Sequence, residues 1–160
     1  MDTITAERVE KLHPAIRDEV KLIIELVDEA LTGVAQIRIV QGLRTFEEQD
    51  GLYAQGRTKK GPKVTKAKGG QSYHNYGLAV DFALLINGKE ISWDTRKDFD
   101  KDGIADWDEV VRIFESHGYL WGKAFNDLPH LEKTFGYNWR ALLKKYNAKD
   151  FIPGTKYVNL

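Results

Sequence analysis

The sequence predicts an α+β fold, in which a small antiparallel sheet is covered by helices in a single domain. The helical spacing of apolar residues, the short strand-like segments and the order in which these follow one another all indicate this class. The chain has 160 residues, of which 42% are hydrophobic and 11% are aromatic. This composition can bury one substantial core but not two, so we expect residues 1–160 to form one domain.

A first helix is predicted over residues 5–33. Thr5 can cap its beginning, and apolar residues recur at three- and four-residue spacing along one face. They are Val20, Ile23, Ile24, Val27 and Leu31. We expect this face to lie against the core and the helix to end near Gly33.

The next segments alternate between strand and helix patterns. Ile37 and Ile39 alternate with polar neighbours in AQIRIVQG, which is typical of a strand, and GLRTFEEQDGLYAQG then has helical spacing. Residues 56–72 are rich in glycine and lysine and are predicted to form a loop. The segment LAVDFALLI is too apolar for a surface strand and fits a central one.

The second half of the chain begins with residues 87–106, which are turn-rich and acidic. The segment WDEVVRIFESHGY follows as a predicted helix, with Val110, Val111 and Phe114 facing inward and Gly118 ending it. LWGKAFNDLPHLEK is expected to contain two short extended pieces. A short basic helix, YNWRALLKKY, and a tail complete the chain over residues 136–160.

The composition excludes several functional classes. Basic and acidic residues both number 24, so no overall field recruits nucleic acid or an anionic membrane. No stretch approaches the roughly 20 apolar residues of a membrane span. The absence of cysteine excludes disulfides and thiolate nucleophiles, and leaves any metal to His, Asp and Glu. The charged N-terminus is not a secretory signal, so we expect synthesis in the cytoplasm.

A candidate metal site begins in QSYHNYGLAVD, where His74 and Asp81 are seven residues apart. On a straight helix they would lie roughly 10 Å apart, whereas zinc bonds of about 2 Å require ligands that nearly touch. The chain must therefore turn between them, and Gly77 permits such a turn. Taken alone, this segment favours a structural histidine.

A second segment, NDLPH, ends at His130. Pro129 biases its predecessor toward an extended conformation, which suits a ligand presented from a strand rather than from a helix. Asp127 precedes His130 by three residues, near enough in sequence to act on a metal-bound water. Taken alone, this segment favours an aspartate turn cap and an exposed histidine.

Together, the two segments resemble the zinc D-Ala-D-Ala metallopeptidase family, whose signature is S-x-H-x-x-G-x-A-x-D followed by D/E-x-x-H. The resemblance extends over residues 39–132, through VQGLRTFEEQ, LYAQGRT, KGGQSYH, VDFA and WG. The family includes D,D-carboxypeptidases, dipeptidases of vancomycin resistance and L-alanyl-D-glutamate endopeptidases of phages and bacilli. The endopeptidase group, to which phage endolysins belong, is the most similar.

The resemblance implies three zinc ligands, with water in the open fourth position. These ligands are His74, Asp81 and His130. Asp127 matches the family's catalytic carboxylate, which takes a proton from the water and returns it to the leaving amine. Arg44 matches an arginine that polarises the scissile carbonyl and stabilises the developing oxyanion.

The resemblance also implies substrate contacts, because Gln49 and Ser72 match positions that help to bind substrate. The chain departs from the family at residues 121–125, which read W-G-K-A-F where many relatives read W-G-G-x-W. The shape of the substrate cleft is therefore not carried over. The basic residues of the 56–72 loop either capture carboxylates of the wall peptide or only keep the loop solvated. They are Arg57, Lys59, Lys60, Lys63, Lys66 and Lys68.

We expect a zinc-dependent peptidase that acts on peptidoglycan stem peptides as a monomer, cutting the bond between L-alanine and D-glutamate. A D,D-carboxypeptidase of the same family is an alternative. A non-catalytic module that only binds wall peptide is another, although it would have no chemical reason to keep the full catalytic set. Such an enzyme would reach the wall after release from the cytoplasm, most simply through a holin.

A second metal site is predicted in DFDKDGIADWDE, residues 98–109, which matches the EF-hand calcium loop D-x-[DN]-x-[DN]-G-x5-E. The oxygen ligands would come from Asp98, Asp100, Asp102, the Ile104 backbone carbonyl, Asp106 and Glu109. Ala105 replaces the usual larger apolar residue, and the preceding TRK is not a convincing entering helix. The alternative is an acidic turn that nearby lysines balance.

Overall fold

The computed structural model describes all 160 residues and contains five α-helices, five strands and two 3₁₀ helices. The α-helices are α1 (Thr3–Glu10), α2 (Pro14–Ala30), α3 (Phe46–Ala54), α4 (Asp106–Ser116) and α5 (Trp139–Asn147). The strands are β1 (Ala35–Gln41), β2 (Ala79–Ile86), β3 (Glu90–Ser92), β4 (Leu120–Trp121) and β5 (His130–Glu132). The 3₁₀ helices are Tyr73–Tyr76 and Gly122–Phe125. The predicted α+β class is confirmed.

Strand β2 is the centre of the sheet, as its apolar sequence predicts. One edge pairs with β1, while the other edge pairs with β5 near the beginning of β2 and with β3 near its end. Strand β4 then pairs with β5, and every pairing is antiparallel. The arrangement places the first residues of β2 beside β5, where two of the predicted ligands meet.

The hydrophobic core lies between the sheet and helices α2 and α4. The apolar face predicted for α2 is buried throughout, and Ile37 and Ile39 of β1 are fully buried beneath it. On β2, Phe82 packs against Trp107 of α4, with 4.3 Å between the ring centroids. The core therefore holds both the central strand and the helix that follows the acidic loop.

The single helix predicted over residues 5–33 is wrong, because the chain forms two helices there. Helix α1 ends at Glu10 and α2 begins at Pro14. Proline disfavours a helical conformation in the residue before it but is well suited to the first turn of a new helix. The His13 ring caps α2 by accepting a hydrogen bond from the Ala15 N–H (3.0 Å). Helix α2 ends at Ala30, before Gly33.

The segment predicted as turn-rich, residues 87–106, also contains strand β3. This strand of three residues pairs only with the end of β2, and Ile91 within it is exposed. Its sequence, EIS, has too few residues for an alternating pattern, so nothing in it distinguishes it from a turn.

No helix of the protein is both long enough and apolar enough to pass through a membrane.

Candidate active site

A tight turn before β2 brings His74 and Asp81 together. Ser72 caps the 3₁₀ helix that carries His74, and Gly77 ends this helix with a left-handed backbone (φ 70°). A side chain at position 77 would also meet the His13 backbone nitrogen at 2.6 Å, so glycine is required on two grounds. As a result, His74 Nε2 lies 3.1 Å from Asp81 Oδ1.

The pairing of β2 with β5 supplies the third member of the cluster. Asp81 and His130 are directly opposite each other in this antiparallel pair, and His130 Nδ1 lies 3.0 Å from Asp81 Oδ1. Ligand atoms of His74, Asp81 and His130 all lie within 4.8 Å of one another. The structure thus brings together the three residues that the sequence singled out as metal ligands.

Each histidine has a second partner on the far side of its ring. The Nδ1 of His74 lies 2.8 Å from the Gly42 carbonyl, and the Nε2 of His130 lies 3.1 Å from Glu132 Oε1. Because a carbonyl oxygen can only accept, Nδ1 of His74 must carry a proton. Nε2 is then the nitrogen that faces Asp81 and that would bind a metal. Such outer partners are typical of metal-binding histidines, whose tautomer they fix.

The charge balance of the cluster favours a cation at its centre. Burial alone would raise the pKa of Asp81, but hydrogen bonds with His130 and His74 lower it below its usual range. Burial alone would lower the pKa of His130, but hydrogen bonds with Asp81 and Glu132 raise it to about 9. A metal ion bound by His74, Asp81 and His130 would replace the proton that this cluster otherwise retains. Two imidazoles and one carboxylate form a ligand set that zinc accepts.

Asp127 lies beside the cluster without being one of its closest members. Its Oδ2 is 3.8 Å from His130 Nδ1, and its side chain keeps 47% of its surface exposed. Burial of the other half and the negative charge of Asp81 raise the pKa of Asp127 above its usual range. A partly exposed carboxylate with a raised pKa next to a metal cluster has the features of a general base.

Arg44 reaches the cluster from the segment before α3. Its Nη2 lies 3.9 Å from Asp81 Oδ2, and its Nη1 donates a hydrogen bond to Gln49 Oε1 (3.0 Å). Gln49 is fully buried and donates in turn to the Ala67 carbonyl (2.9 Å). Gln49 therefore holds Arg44 in place from behind, which differs from the direct substrate contact that the resemblance implied for it. Ser72, in contrast, lines the cleft.

The cluster opens into a cleft with a volume of about 1040 Å³. Three of the six basic residues in the 56–72 loop line this cleft, namely Arg57, Lys63 and Lys66. Phe125, at the end of the segment that departs from the family pattern, is 58% exposed and also lines the cleft. The cleft therefore combines the His74–Asp81–His130 cluster, the partly exposed carboxylate of Asp127 and a positively charged wall.

Two contacts of the site could not be foreseen from the sequence. Glu132 is buried and faces His130 from the next but one position on the same strand, a spacing that fixes no role by itself. The Leu128 carbonyl accepts two indole hydrogen bonds, from Trp107 Nε1 (3.3 Å) and from Trp121 Nε1 (2.7 Å). These two tryptophans hold the segment that carries Asp127 and His130.

Comparison with known sequences points to one family. A family model described as D-alanyl-D-alanine carboxypeptidase matches residues 65–133. The peptidoglycan L-alanyl-D-glutamate endopeptidase CwlK of Bacillus subtilis (strain 168) is 48% identical over 124 residues, which cover 76% of this chain and 72% of that protein.

Solved structures share the fold. The Serratia marcescens L-Ala D-Glu endopeptidase ChiX superposes with a TM-score of 0.54 at 21% identity, covering 84% of this chain and 90% of that one. The vancomycin resistance D,D-dipeptidase VanXYg, solved with a D-Ala-D-Ala phosphinate analogue, superposes with a TM-score of 0.50 at 22% identity. That match covers 89% of this chain and 61% of the dipeptidase chain.

Proposed function

This chain belongs to the zinc D-Ala-D-Ala metallopeptidase family, and from that premise we propose that it is a zinc-dependent peptidase that hydrolyses peptidoglycan stem peptides. The bond we assign is the one between L-alanine and D-glutamate. One observation carries the chemistry: the ligand atoms of His74, Asp81 and His130 converge at the floor of an open cleft. The 48% identity to an L-alanyl-D-glutamate endopeptidase supports the choice of bond.

The three converging residues would hold the zinc, and the cleft leaves its remaining side accessible to substrate. When bound, zinc supplies a Lewis acid that polarises the scissile carbonyl and makes water a nucleophile near neutral pH. The Gly42 carbonyl and Glu132 keep both imidazole rings turned toward this point. Their role is positional, because each contacts a ligand residue through the ring nitrogen that faces away from Asp81.

Asp127 acts on the attacking water. Its carboxylate is close to His130 yet half exposed to the cleft, so it can accept a proton from water that enters there. It then gives this proton to the amine that leaves when the peptide bond breaks. A raised pKa of Asp127 suits both steps, because a carboxylate with a low pKa would neither take up the proton nor retain it.

Arg44 provides fixed positive charge where the carbonyl oxygen becomes negative. Its side chain is only 15% exposed, and its hydrogen bond to Gln49 holds the guanidinium in one orientation. A donor that is already oriented costs no reorganisation during the reaction and stabilises the transition state by several kcal/mol, about 3 or more.

The charged wall of the cleft suits an acidic substrate. Stem peptides carry carboxylates, and the lining residues Arg57, Lys63 and Lys66 present positive charge along the same cleft. The matching of opposite charges speeds encounter and fixes the orientation of the bound peptide. This favours the capturing role of the basic loop over a role in solubility alone.

Digestion of purified peptidoglycan, followed by mass spectrometry of the new termini, tests the proposal. The L-alanyl-D-glutamate activity predicts soluble peptides that begin with D-glutamate and glycan strands that retain L-alanine. Release of free D-alanine alone would assign the D,D-carboxypeptidase activity that the matching family model describes. Intact stem peptides after incubation with zinc-loaded protein would exclude both peptidase activities and would leave the non-catalytic module that binds wall peptide.

The route to the wall belongs to the same proposal. We infer synthesis in the cytoplasm and release to the wall, most simply through a holin, with the monomer as the active form. Fractionation of the producing cells before and after lysis tests the route. Detection of the protein in the medium of intact cells would show that the protein is exported and is not released through a holin.

A further inference from the structure

The acidic loop, residues 98–109, follows β3, extends into the first turn of α4 and takes no part in the chemistry described above. Its carboxylates fall into two overlapping groups whose oxygens lie within 4.8 Å of one another. One group is Asp98, Asp100 and Asp106, and the other is Asp100, Asp102 and Glu109. The two groups share Asp100, so the five acids of the EF-hand pattern form one continuous cluster.

No basic side chain forms an ion pair with these acids. None of the ion pairs in the structure involves any of the five. This observation argues against the alternative of an acidic turn balanced by lysine. Like charges held this close are destabilising unless a cation lies between them.

A fully buried carboxylate oxygen in the loop has no hydrogen-bond partner. Asp106 has no exposed surface, and its Oδ1 accepts from the Phe99 N–H (2.7 Å), while its Oδ2 accepts from nothing. Glu109 Oε2 is likewise buried without a partner. Buried polar atoms in folded proteins are almost always satisfied, so two unpaired carboxylate oxygens at one cluster indicate an absent ligand.

The other carboxylates are already oriented by backbone N–H groups. Asp98 accepts from Lys101 (2.6 Å) and Gly103 (2.9 Å), and Asp102 accepts from Ile104 (2.8 Å). Gly103 adopts φ +97°, a conformation that favours glycine and makes the sharp turn of such a loop. These hydrogen bonds therefore fix the orientation of the Asp98 and Asp102 carboxylates.

We propose that the acidic loop binds one calcium ion and that this ion stabilises the fold. The ligands are carboxylate oxygens of Asp98, Asp100, Asp102, Asp106 and Glu109, with the Ile104 carbonyl in addition. An all-oxygen set with a glutamate at the twelfth position suits calcium, whereas magnesium demands a smaller octahedral site. The set contains no nitrogen donor and so differs in kind from the zinc cluster.

The loop is also connected to the active site. Trp107 follows Asp106 in α4, packs against Phe82 and donates to the Leu128 carbonyl between Asp127 and His130. On its other side the loop is tied to the end of α2, where Asp100 Oδ2 accepts from the Thr32 hydroxyl (3.1 Å). A calcium ion would therefore fix the start of α4 and, through Trp107, the segment beside the zinc cluster.

Calorimetric titration of zinc-loaded protein with calcium chloride should show one site per chain, and the melting temperature should rise. Binding to the native state alone, at a hundredfold excess over Kd, predicts a rise of roughly 5 to 10 °C. Hydrogen exchange of the 126–130 amides should slow in parallel. Magnesium at the same concentration should give a much smaller rise.

Glu109→Gln should lose most of the calcium-dependent rise while keeping its zinc. In calcium-free buffer the same variant should melt no lower than the wild type, because it removes one of the repelling charges, so failure to fold is not the expected outcome. Asp108→Asn removes an equal charge from the same helix turn at a position that is not a ligand, and it should keep the rise.

Three results would overturn the proposal. They are no heat and no melting shift at millimolar calcium, an equal shift with magnesium, or an equal loss in the Asp108→Asn control. None of them bears on zinc content or peptidoglycan hydrolysis, so failure of the calcium site and failure of the peptidase proposal remain distinguishable.

Discussion

Glu132 is the clearest example of a residue that acts through another residue. It is buried, and its carboxylate holds the far nitrogen of the His130 ring. Outer partners of metal-binding histidines orient the ring and increase its basicity. The sequence could not reveal this role, because the role depends on the orientation of the β5 side chains where β5 pairs with β2.

Glu132→Gln should lower zinc affinity by roughly 10- to 100-fold, the usual effect of losing such a partner. At saturating zinc the variant should recover most of its turnover, because the catalytic groups are unchanged. Titration against a zinc chelator measures the affinity. Glu115→Gln, on the exposed side of α4, is the matched control and should bind zinc as the wild type does. Equal affinities for the two variants would remove Glu132 from the site.

Asp127→Ala should keep zinc but lose turnover by roughly 10²-fold or more, the scale of general acid-base catalysis. The carboxylate stands 3.8 Å from His130 and is not one of the three ligand residues, so the metal should stay. Zinc content and kcat, measured on the same preparation, separate the two effects. Near-normal turnover would show that another group takes the proton.

His13 should make stability depend on pH. Burial lowers its pKa, and the folded ring stays neutral because it bonds both the Ala15 N–H and the Val158 carbonyl. Unfolded chains take up this proton near pH 6.5, whereas folded chains do so only at lower pH. The free energy of unfolding should therefore fall as pH decreases below about 6.5.

His13→Asn keeps a residue that can cap α2 and removes the titrating ring. Chemical denaturation of zinc-loaded protein at several pH values should show a shallower loss of stability below about pH 6.5 than in the wild type. His117→Asn is the control and should leave the wild-type slope in place. A slope unchanged in His13→Asn would assign the pH dependence to other groups.

At the scale of elements, the sequence predicted segments whose pattern is strong and local. Strand β2 is a long apolar run, and its central position follows from that composition. The break between α1 and α2 is hidden in the sequence because apolar residues continue at helical spacing on both sides of Pro14. Strand β3 is not visible in the sequence because its three residues, two of them exposed, carry no pattern. Elements that depend on a partner strand are not visible in a single sequence.

The segment between β4 and β5 depends on two indole hydrogen bonds to one carbonyl. Trp121→Phe would keep the aromatic packing and remove the shorter of the two bonds to Leu128. We expect zinc content to be retained and kcat to fall by roughly fivefold, since one net hydrogen bond of about 1 kcal/mol positions Asp127 and His130. Trp139→Phe is the control, because its indole makes no such bond. Unchanged kcat in Trp121→Phe would show that Trp107 alone holds the segment.

At the scale of the whole molecule, the site is assembled from distant parts of the chain. The ligands lie on the 3₁₀ helix before β2, at the start of β2 and on β5. Arg44 precedes α3, and the cleft wall comes from the 56–72 loop. The family signature identified the ligand candidates because it records which residues meet, information that spacing alone does not contain. The shape of the cleft could not be predicted, because it depends on how these distant segments fold over one another.

Zinc content and peptidoglycan hydrolysis, determined together in the wild type and in His130→Ala, test most directly whether a zinc cluster performs the reaction. We predict about one zinc per wild-type chain and active hydrolysis, which a chelator abolishes and added zinc restores. His130→Ala should lose metal and activity together, because it removes one of three ligands and the side-chain contact between His130 and Asp81. Full hydrolysis by a zinc-free His130→Ala protein would contradict the assignment.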